Sequence, residues 1–417
     1  MTATAPSTTT PAHAPLSVTA FVALMAAVMA LNALATDIML PGLPEIAEAT
    51  GAADTTEVQA VITLYLIGFG LGQLVAGLLA DRFGRRLVLL PGLVVYAVAG
   101  LVTALAPDLT VLLVARFVQG VGASATRVIA TAMIRDCYEG RTMARIMSLT
   151  MMVFMAAPVF APALGQVILL TTSWRWVFGV LTIYGVVLTI LAARHLPETL
   201  PKAERRPIRL ALIRAGLGSI FGSRQTVGYT LAAGIFFGAL FSLINSAQQV
   251  MVDVYDTGLW FPAIFAGVSV CIALASFVNA RIVERFGMRV LSQGAVCAFC
   301  VLSGVMVLLG RAEMLTLLPF LVLLSATLTL VGLVFSNFNA LALAPQGHVA
   351  GLASSVIGGT TALMGSSIGY LVGQSFDDTA VPMVTGFLLC GVAALAIVAV
   401  TERGMLFRSG PEQPESA

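Results

Sequence analysis

Charge is what this 417-residue chain has least of: Asp, Glu, Lys and Arg together make up 10% of it, and Lys202 is its single lysine. A lone lysine outside any glycine-rich turn excludes an ATP-driven pump built on a P-loop. Histidine is down to three residues and cysteine to five. Cys137, Cys271, Cys297, Cys300 and Cys390 are odd in number and scattered through apolar stretches, so they make no disulfide framework and read as small packing residues. Cys297 and Cys300 have C-x-x-C spacing, but no second pair or histidine nearby completes a metal site. The opening residues, 1–16, contain no Lys or Arg and hence no basic n-region of a signal peptide; they read as a disordered cytoplasmic tail.

What fills the chain instead is apolar. Hydrophobic residues are 59% of the total and the mean hydropathy is +0.98, far above an ordinary soluble mixture. A hydrocarbon core of ~30 Å takes ~20 apolar residues per helix, and only helices and closed barrels satisfy their backbones there. The runs are long and continuous, which predicts an all-α integral membrane protein with the lipid bilayer as its surroundings and no nucleic-acid partner. Twelve spans are expected at 17–37, 57–79, 86–106, 109–133, 143–170, 174–194, 226–251, 259–281, 289–310, 314–338, 349–372 and 379–403. Basic residues test that count, because Lys and Arg collect in cytoplasmic loops. Of the 22 Lys and Arg, only Arg175 and Arg311 fall in the outer loops, and only Arg116 and Arg127 fall within a span. The rest, including Arg135, Arg141, Arg145, Arg403 and Arg408, alternate onto one side, while the other side carries Glu45, Glu48, Asp54, Asp253, Asp256, Asp377 and Asp378. Both termini are therefore expected in the cytoplasm.

One charged turn recurs. Gly77-Leu78-Leu79-Ala80-Asp81-Arg82-Phe83-Gly84-Arg85-Arg86 sits between spans two and three, with Gly84 at its bend. About two hundred residues later, Arg281-Ile282-Val283-Glu284-Arg285-Phe286-Gly287-Met288-Arg289 repeats the acid, Arg, Phe, Gly, x, Arg order between spans eight and nine. The chain thus reads as two copies of a six-helix half, 17–194 and 226–403, joined by a polar cytoplasmic linker, 195–225, that holds Pro197, Pro201 and Pro207 and the largest group of cytoplasmic basic residues, with a short tail at 404–417. Gly68 with Gly72, Gly234 with Gly238 and Gly369 with Gly373 have the spacing that lets membrane helices approach closely.

These motifs carry a family resemblance. Gly77 to Arg86 resembles the loop 2-3 signature of the major facilitator superfamily, and Arg116-x-x-Gln119-Gly120-x-Gly122 resembles its proton-coupling arginine motif. Ala35-Thr36-Asp37-Ile38-Met39-Leu40-Pro41 is similar to the drug:proton antiporters with twelve spans, in particular the Bcr/CflA multidrug efflux group. Arg135-Asp136, Asn337-x-Asn339-Ala340-Leu341-Ala342-Leu343 and Gly347-His348-x-Ala350-Gly351 resemble that group too. The resemblance implies two pseudo-symmetric six-helix bundles, the major facilitator fold, with a substrate site near the midplane. It also implies alternating access, export of small drug-like molecules against protons, no cofactor beyond the proton gradient, and a monomer in the bacterial inner membrane. In span five the exporters' G-x-x-x-G-P-x-x-G-G stands as Ala157-Pro158-Val159-Phe160-Ala161-Pro162-Ala163-Leu164-Gly165-Gln166; Pro162 and Gly165 are kept and three glycines are replaced, so the direction of transport is implied less firmly than the fold.

Candidate site residues follow. Asp37 is the one acid within an apolar span, where it costs several kcal/mol unless paired; it either loads and releases a proton or caps the helix end at headgroup level. Arg116 is expected at similar depth, with pairing to Asp37 feasible. Arg127, eleven residues on, returns to the same helix face ~16 Å deeper and either faces the pocket or snorkels to headgroups. Asn32, Asn245, Gln248 and Gln249 are candidate pocket hydrogen-bonding groups or interhelical glue. Met25, Met29, Met151, Met152 and Met155 either line an adaptable wall or fill core gaps. Asp81 and Glu284, with Gly77, Arg82, Gly84, Arg85, Arg86, Arg285 and Gly287, form the gate turns, and by resemblance Asp81 latches the N-terminus of span eleven, a site of partial positive charge. With one interior acid against two bases, the expected cargo is neutral, zwitterionic or anionic.

Rival functions find less support. Gly365-Ser366-Ser367-Ile368-Gly369 has G-x-S-x-G spacing but lies mid-helix and not at a strand-to-helix turn, and His348 is ~28 Å away along that helix. Gly68-x-Gly70-x-Gly72 has no strand before it. An enzyme is therefore not expected. A proton-coupled carrier of one specific metabolite remains the alternative, and a transport-dead membrane sensor would lack any domain to carry its output.

Overall fold

The computed structural model describes residues 16–52, 55–138, 140–205 and 209–407. Asp54, Pro207, Arg408 and nearly all of the expected N-terminal tail lie outside these residues, as do the side chains of Arg141, Met151, Met155 and His348. The described residues form twelve long helices: α1 (Val18–Asp37), α2 (Ala60–Phe83), α3 (Arg85–Ala104), α4 (Leu109–Cys137), α5 (Gly140–Thr171), α6 (Trp174–His195), α7 (Arg224–Gln248), α8 (Phe261–Phe286), α9 (Met288–Arg311), α10 (Leu317–Leu343), α11 (Ala350–Gly373) and α12 (Val381–Thr401). Each is long enough to cross ~30 Å of hydrocarbon at 1.5 Å per residue. Large apolar side chains such as Val98, Leu308 and Val400 stand exposed along them, as a lipid-facing surface requires.

The charged turns set the helix register. Asp81, Arg82 and Phe83 belong to the last turn of α2, where the sequence pattern had placed a looser hairpin; Gly84 alone separates α2 from α3, at φ 108°. Gly287 does the same between α8 and α9, at φ 81°. A positive φ is costly for any residue with a Cβ, which is why each one-residue reversal carries glycine. The end of the bundle with these turns is called the basic end below, and the Asp37 end the far end.

Within the first six helices, α2 packs on α4, α3 on α4 and α6, and α1 on α5; within the last six, α7 packs on α11, α12 and α10, α9 on α10 and α12, and α8 on α10. Two seams join the sets, α2 with α11 and α5 with α8. The α2–α4 contact is backbone on backbone. A methyl group at Gly68 would strike the Phe117 carbonyl, and one at Gly120 would strike the Tyr65 carbonyl. This gives Gly120 of the arginine motif a packing role.

Two departures from the sequence reading stand out. The linker, read as polar throughout, holds an apolar helix at Leu210–Gly222; its arginine- and proline-rich flank had masked a 13-residue segment with one charge. At the far end a short helix, Leu43–Thr50, follows α1, and α7 continues as a wider π-helical turn over Gln249–Val254.

Candidate functional site

Helix α1 ends at Asp37 because the Leu40–Gly42 turn with Pro41 follows it. The Thr36 hydroxyl donates back to the carbonyls of Ala33 (2.9 Å) and Asn32 (3.3 Å). Asp37 is only 3% exposed, which rules out a solvated cap at headgroup level, and its Oδ1 has no hydrogen-bond partner. Next to it, Gly165 of α5 is seated on the Ile38 carbonyl so closely that a methyl group there would collide. That contact accounts for one glycine kept in the altered span-five motif. Pro158 and Pro162 lie inside a continuous α5.

Arg116 is fully buried but is not paired with Asp37. Its Nη2 donates to the Ala35 carbonyl (2.9 Å), its Nε to the Val61 carbonyl (3.2 Å) and its Nη1 to Gln119 Oε1 (2.7 Å). The guanidinium lies 4.3 Å from the Tyr65 ring centroid and 5.6 Å from that of Phe178. The reason is local. Ala35 is in the last turn of α1, whose carbonyls are left over by the helix and carry its negative dipole end, so the cation binds the backbone two residues short of the carboxylate. Arg116 thereby ties α4 to α1 and α2, and Gln119, one turn on, completes the cage.

Arg127 is half-buried and points across the molecule, its guanidinium 5.9 Å from the Phe335 ring of α10. Phe335 in turn stacks on Phe237 of α7, with centroids 4.2 Å apart. Its head group is thus turned toward the last six helices. Asn32 is half-buried with Oδ1 unpartnered, and Gln248 is buried with Oε1 unpartnered. Met25 and Met29 are core residues and Met152 is exposed.

Asn245 and Gln249 bond to residues at the head of α2. Asn245 donates to the Phe241 carbonyl (2.9 Å) and accepts from the Thr63 hydroxyl (3.3 Å). Gln249 accepts from Gln59 Nε2 at 2.5 Å and donates to the Thr56 hydroxyl (3.1 Å), while Gln374, just after α11, donates to the Thr56 carbonyl (2.7 Å). The sequence reading missed Thr56, Gln59, Thr63 and Gln374. They lie at span ends where polar residues pass for solvated, although Gln59 and Thr63, one turn apart at the head of α2, were a readable signal.

At the basic end Asp81 pairs with Arg85 (2.5 Å), Arg85 with Asp136 (3.1 Å), and Asp136 accepts from the Thr199 hydroxyl (2.9 Å). The Arg85 backbone N–H donates to Glu198 of the linker at 2.8 Å, and Arg86 donates to the Ala193 carbonyl at the end of α6. Arg82 is exposed. Across the α2–α11 seam Gly77 faces Ser355, and a Cβ at Gly351 would lie 3.6 Å from Asp81 Oδ2. The acid therefore sits at the first turn of α11. The second turn is built differently: Glu284, Arg285 and Gly287 are exposed, with Arg285 over the Phe286 ring at 5.5 Å, and Arg289 pairs with Glu402 of the α12 end at 2.9 Å. Glu284 enters no ion pair among the described residues.

A twelve-helix bundle of two six-helix sets, joined at α2–α11 and α5–α8 and holding a buried acid and a buried arginine, is a membrane transporter architecture. Residues 25–370 match the family model of the Major Facilitator Superfamily, and the chain belongs to that superfamily: it is a multi-pass membrane transporter and not an enzyme. It is 33% identical over 383 residues to the MFS-type transporter YdgK of Bacillus subtilis, covering 89% of this chain and 93% of that one. It is 30% identical over 374 residues to the bicyclomycin resistance protein homolog of Haemophilus influenzae, covering 89% and 94%. To the multidrug resistance protein MdtL of Klebsiella pneumoniae it is 28% identical over 367 residues, covering 87% and 91%. Among solved structures, the partially occluded inward-open xylose transporter XylE of E. coli aligns with a TM-score of 0.72 at 12% identity, covering 91% of this chain and 98% of that one. The inward-facing bacterial homolog of the lysosomal transporter Spinster aligns with a TM-score of 0.72 at 15% identity, covering 94% and 98%.

Proposed function

We propose that the protein exports small drug-like molecules in exchange for protons by alternating access, in a bacterial inner membrane with the basic end and both termini cytoplasmic. The observation that carries this reading is Asp37: a carboxylate 3% exposed, with one oxygen unpartnered and its expected arginine bound elsewhere. An ionised acid in that setting costs several kcal/mol, so a proton is its natural partner. Arg116 holds the Ala35 carbonyl, two residues before Asp37 in the last turn of α1, so a shift of that turn when Asp37 gains or loses its proton is felt at α4. The amide girdle of Gln59, Thr63, Asn245 and Gln249 holds the far end shut, and Asp81 at the first turn of α11 sets the balance at the basic end. The names of the bicyclomycin and multidrug resistance relatives support a drug as cargo.

The charge inventory narrows that cargo. Asp37 and Arg116 are the charged side chains fully buried among the described residues, and Arg116 is enclosed by ring faces and carbonyls. A cationic drug would meet the Arg127 side with no second carboxylate to receive it, at a desolvation cost of several kcal/mol, comparable to the ~8 kcal/mol of micromolar binding. Neutral, zwitterionic or anionic molecules avoid that cost and find Asn32 and Gln248 as hydrogen-bonding groups. The test is a resistance panel in a pump-deleted host. Protection against neutral antibiotics that is lost in Asp37→Asn is expected; undiminished protection in that variant would remove Asp37 from the mechanism.

A further inference from the structure

The linker helix Leu210–Gly222 carries one charged residue, Arg214, and one hydroxyl, Ser219, in an otherwise apolar or glycine segment. Thirteen residues reach ~20 Å, too short for a ~30 Å hydrocarbon core. One side is docked: Gly216 and Ile220 are buried, a side chain at Gly216 would run into Leu352 of α11, and the Ser219 hydroxyl meets Gln346 at 3.0 Å. Gln346 also reaches the Thr226 hydroxyl of α7 at 3.0 Å. The helix is thereby fixed at the basic end, beside the first turns of α7 and α11.

The neighbouring edge meets no partner among the described residues. Leu210, Arg214, Leu217 and Phe221 recur at i, i+4, i+7 and i+11, the spacing of a single helix face, and Leu210 is 63% and Phe221 66% exposed. Exposed Lys202, Arg209, Arg214 and Arg224 surround the helix against exposed Glu204, and the Arg224 guanidinium caps the α12 end at the Thr401 carbonyl. A second copy of the chain fits this edge poorly, because a twofold contact would set its like charges face to face.

We infer that this helix lies on the membrane surface at the basic end, with its Leu210–Phe221 edge in the boundary between acyl chains and headgroups and Arg209 and Arg214 on the phosphates of anionic lipids. Apolar depth and basic charge act together in such binding, and each basic residue near an anionic surface contributes about fivefold in partitioning. The surface reaches the gate through one contact, since Leu352 follows Gly351, the residue beside Asp81.

The test uses the full chain with Phe221→Trp, reconstituted in vesicles of phosphatidylcholine alone or mixed with phosphatidylglycerol, with the added emission taken as the difference from the parent chain. Bromines placed high on the acyl chains should quench that emission while aqueous iodide does not. Arg209→Gln with Arg214→Gln should lower the ratio of lipid-protected to iodide-exposed emission in the anionic vesicles by up to about 25-fold, fivefold for each arginine. Leu210→Trp repeats the measurement on the other end of the edge, should Phe221→Trp fail to fold. Quenching by iodide and not by bromolipid would put the helix in water, and protection from both would put it under protein; either result overturns the inference. Equal behaviour in the two vesicle compositions overturns the role given to the arginines. None of these readouts requires transport.

Discussion

Replacing Arg116 tests the cage that stands where an ion pair with Asp37 was expected. Arg116→Ala leaves three acceptors without their donor, but they are not equivalent. Val61 lies inside α2, so its carbonyl keeps an intrahelical partner, whereas the Ala35 carbonyl is among the last four of α1 and Gln119 Oε1 loses its donor altogether. Two buried unsatisfied groups at about 1–3 kcal/mol each give a loss of about 2–6 kcal/mol; a cavity under Tyr65 adds to it, and the lost contacts with the Tyr65 and Phe178 rings, about 2 kcal/mol each when desolvated, offset the relief of the buried cation. Arg116→Lys keeps the charge and can reach one of the carbonyls, but not all three in the planar fork of a guanidinium, so it should fall between. The assay is thermal unfolding of purified protein in detergent alongside efflux from the same preparations. The expected order in both is parent, Lys, Ala, with the Ala variant nearly inactive and the Lys variant partly active at an altered pH optimum. An Ala variant that melts and transports like the parent would refute the cage as the tie between α1 and α4.

Gly165→Val should lower stability and expression sharply, since even a methyl group collides with the Ile38 carbonyl; the yield of folded protein from membranes checks this, and normal yield would mean that α5 and α1 are not in this contact. Asp81→Asn should slow turnover with little change in ligand affinity, because Asp81 touches Arg85 and, across the α2–α11 seam at the basic end, the first turn of α11; a large loss of affinity at unchanged turnover would contradict that. Gln59→Leu with Gln249→Leu should loosen the far end, each lost amide bond being worth about 0.5–1.5 kcal/mol, and reagents supplied from that side should then label an engineered cysteine near Thr63 faster. Unchanged labelling would show that the girdle does not bear on access.

The fold was legible because two independent signals agreed: apolar runs fixed where helices lie, and the alternation of arginines fixed how many there are. One-dimensional depth also brought Arg116 level with the end of α1. It could not say which way the side chain turns around the helix, and a carbonyl two residues from Asp37 was the better partner. Asn245 and Gln249 stood out as amides in an apolar span, yet their contacts lie 182 and 190 residues away in sequence, beyond any local pattern. The motif at Glu284 repeats the letters of the one at Asp81 without its surroundings, since Glu198 and Asp136 enclose only the first. The linker helix was hidden for a different reason: its apolar residues are too few to read as a span, and their neighbours are the most basic stretch of the chain.

Exchange of cargo for protons is most directly measured in vesicles containing the purified protein and a trapped pH-sensitive dye, with no imposed pH gradient. Adding a neutral substrate, such as a phenicol or a bicyclomycin-like compound, on one side should drive protons the opposite way, so that the compartment the drug enters loses protons to the compartment it leaves. The signal should reverse with the drug gradient and vanish in Asp37→Asn. Drug movement with no proton signal in the parent, or a proton signal that survives in Asp37→Asn, would contradict proton exchange at Asp37.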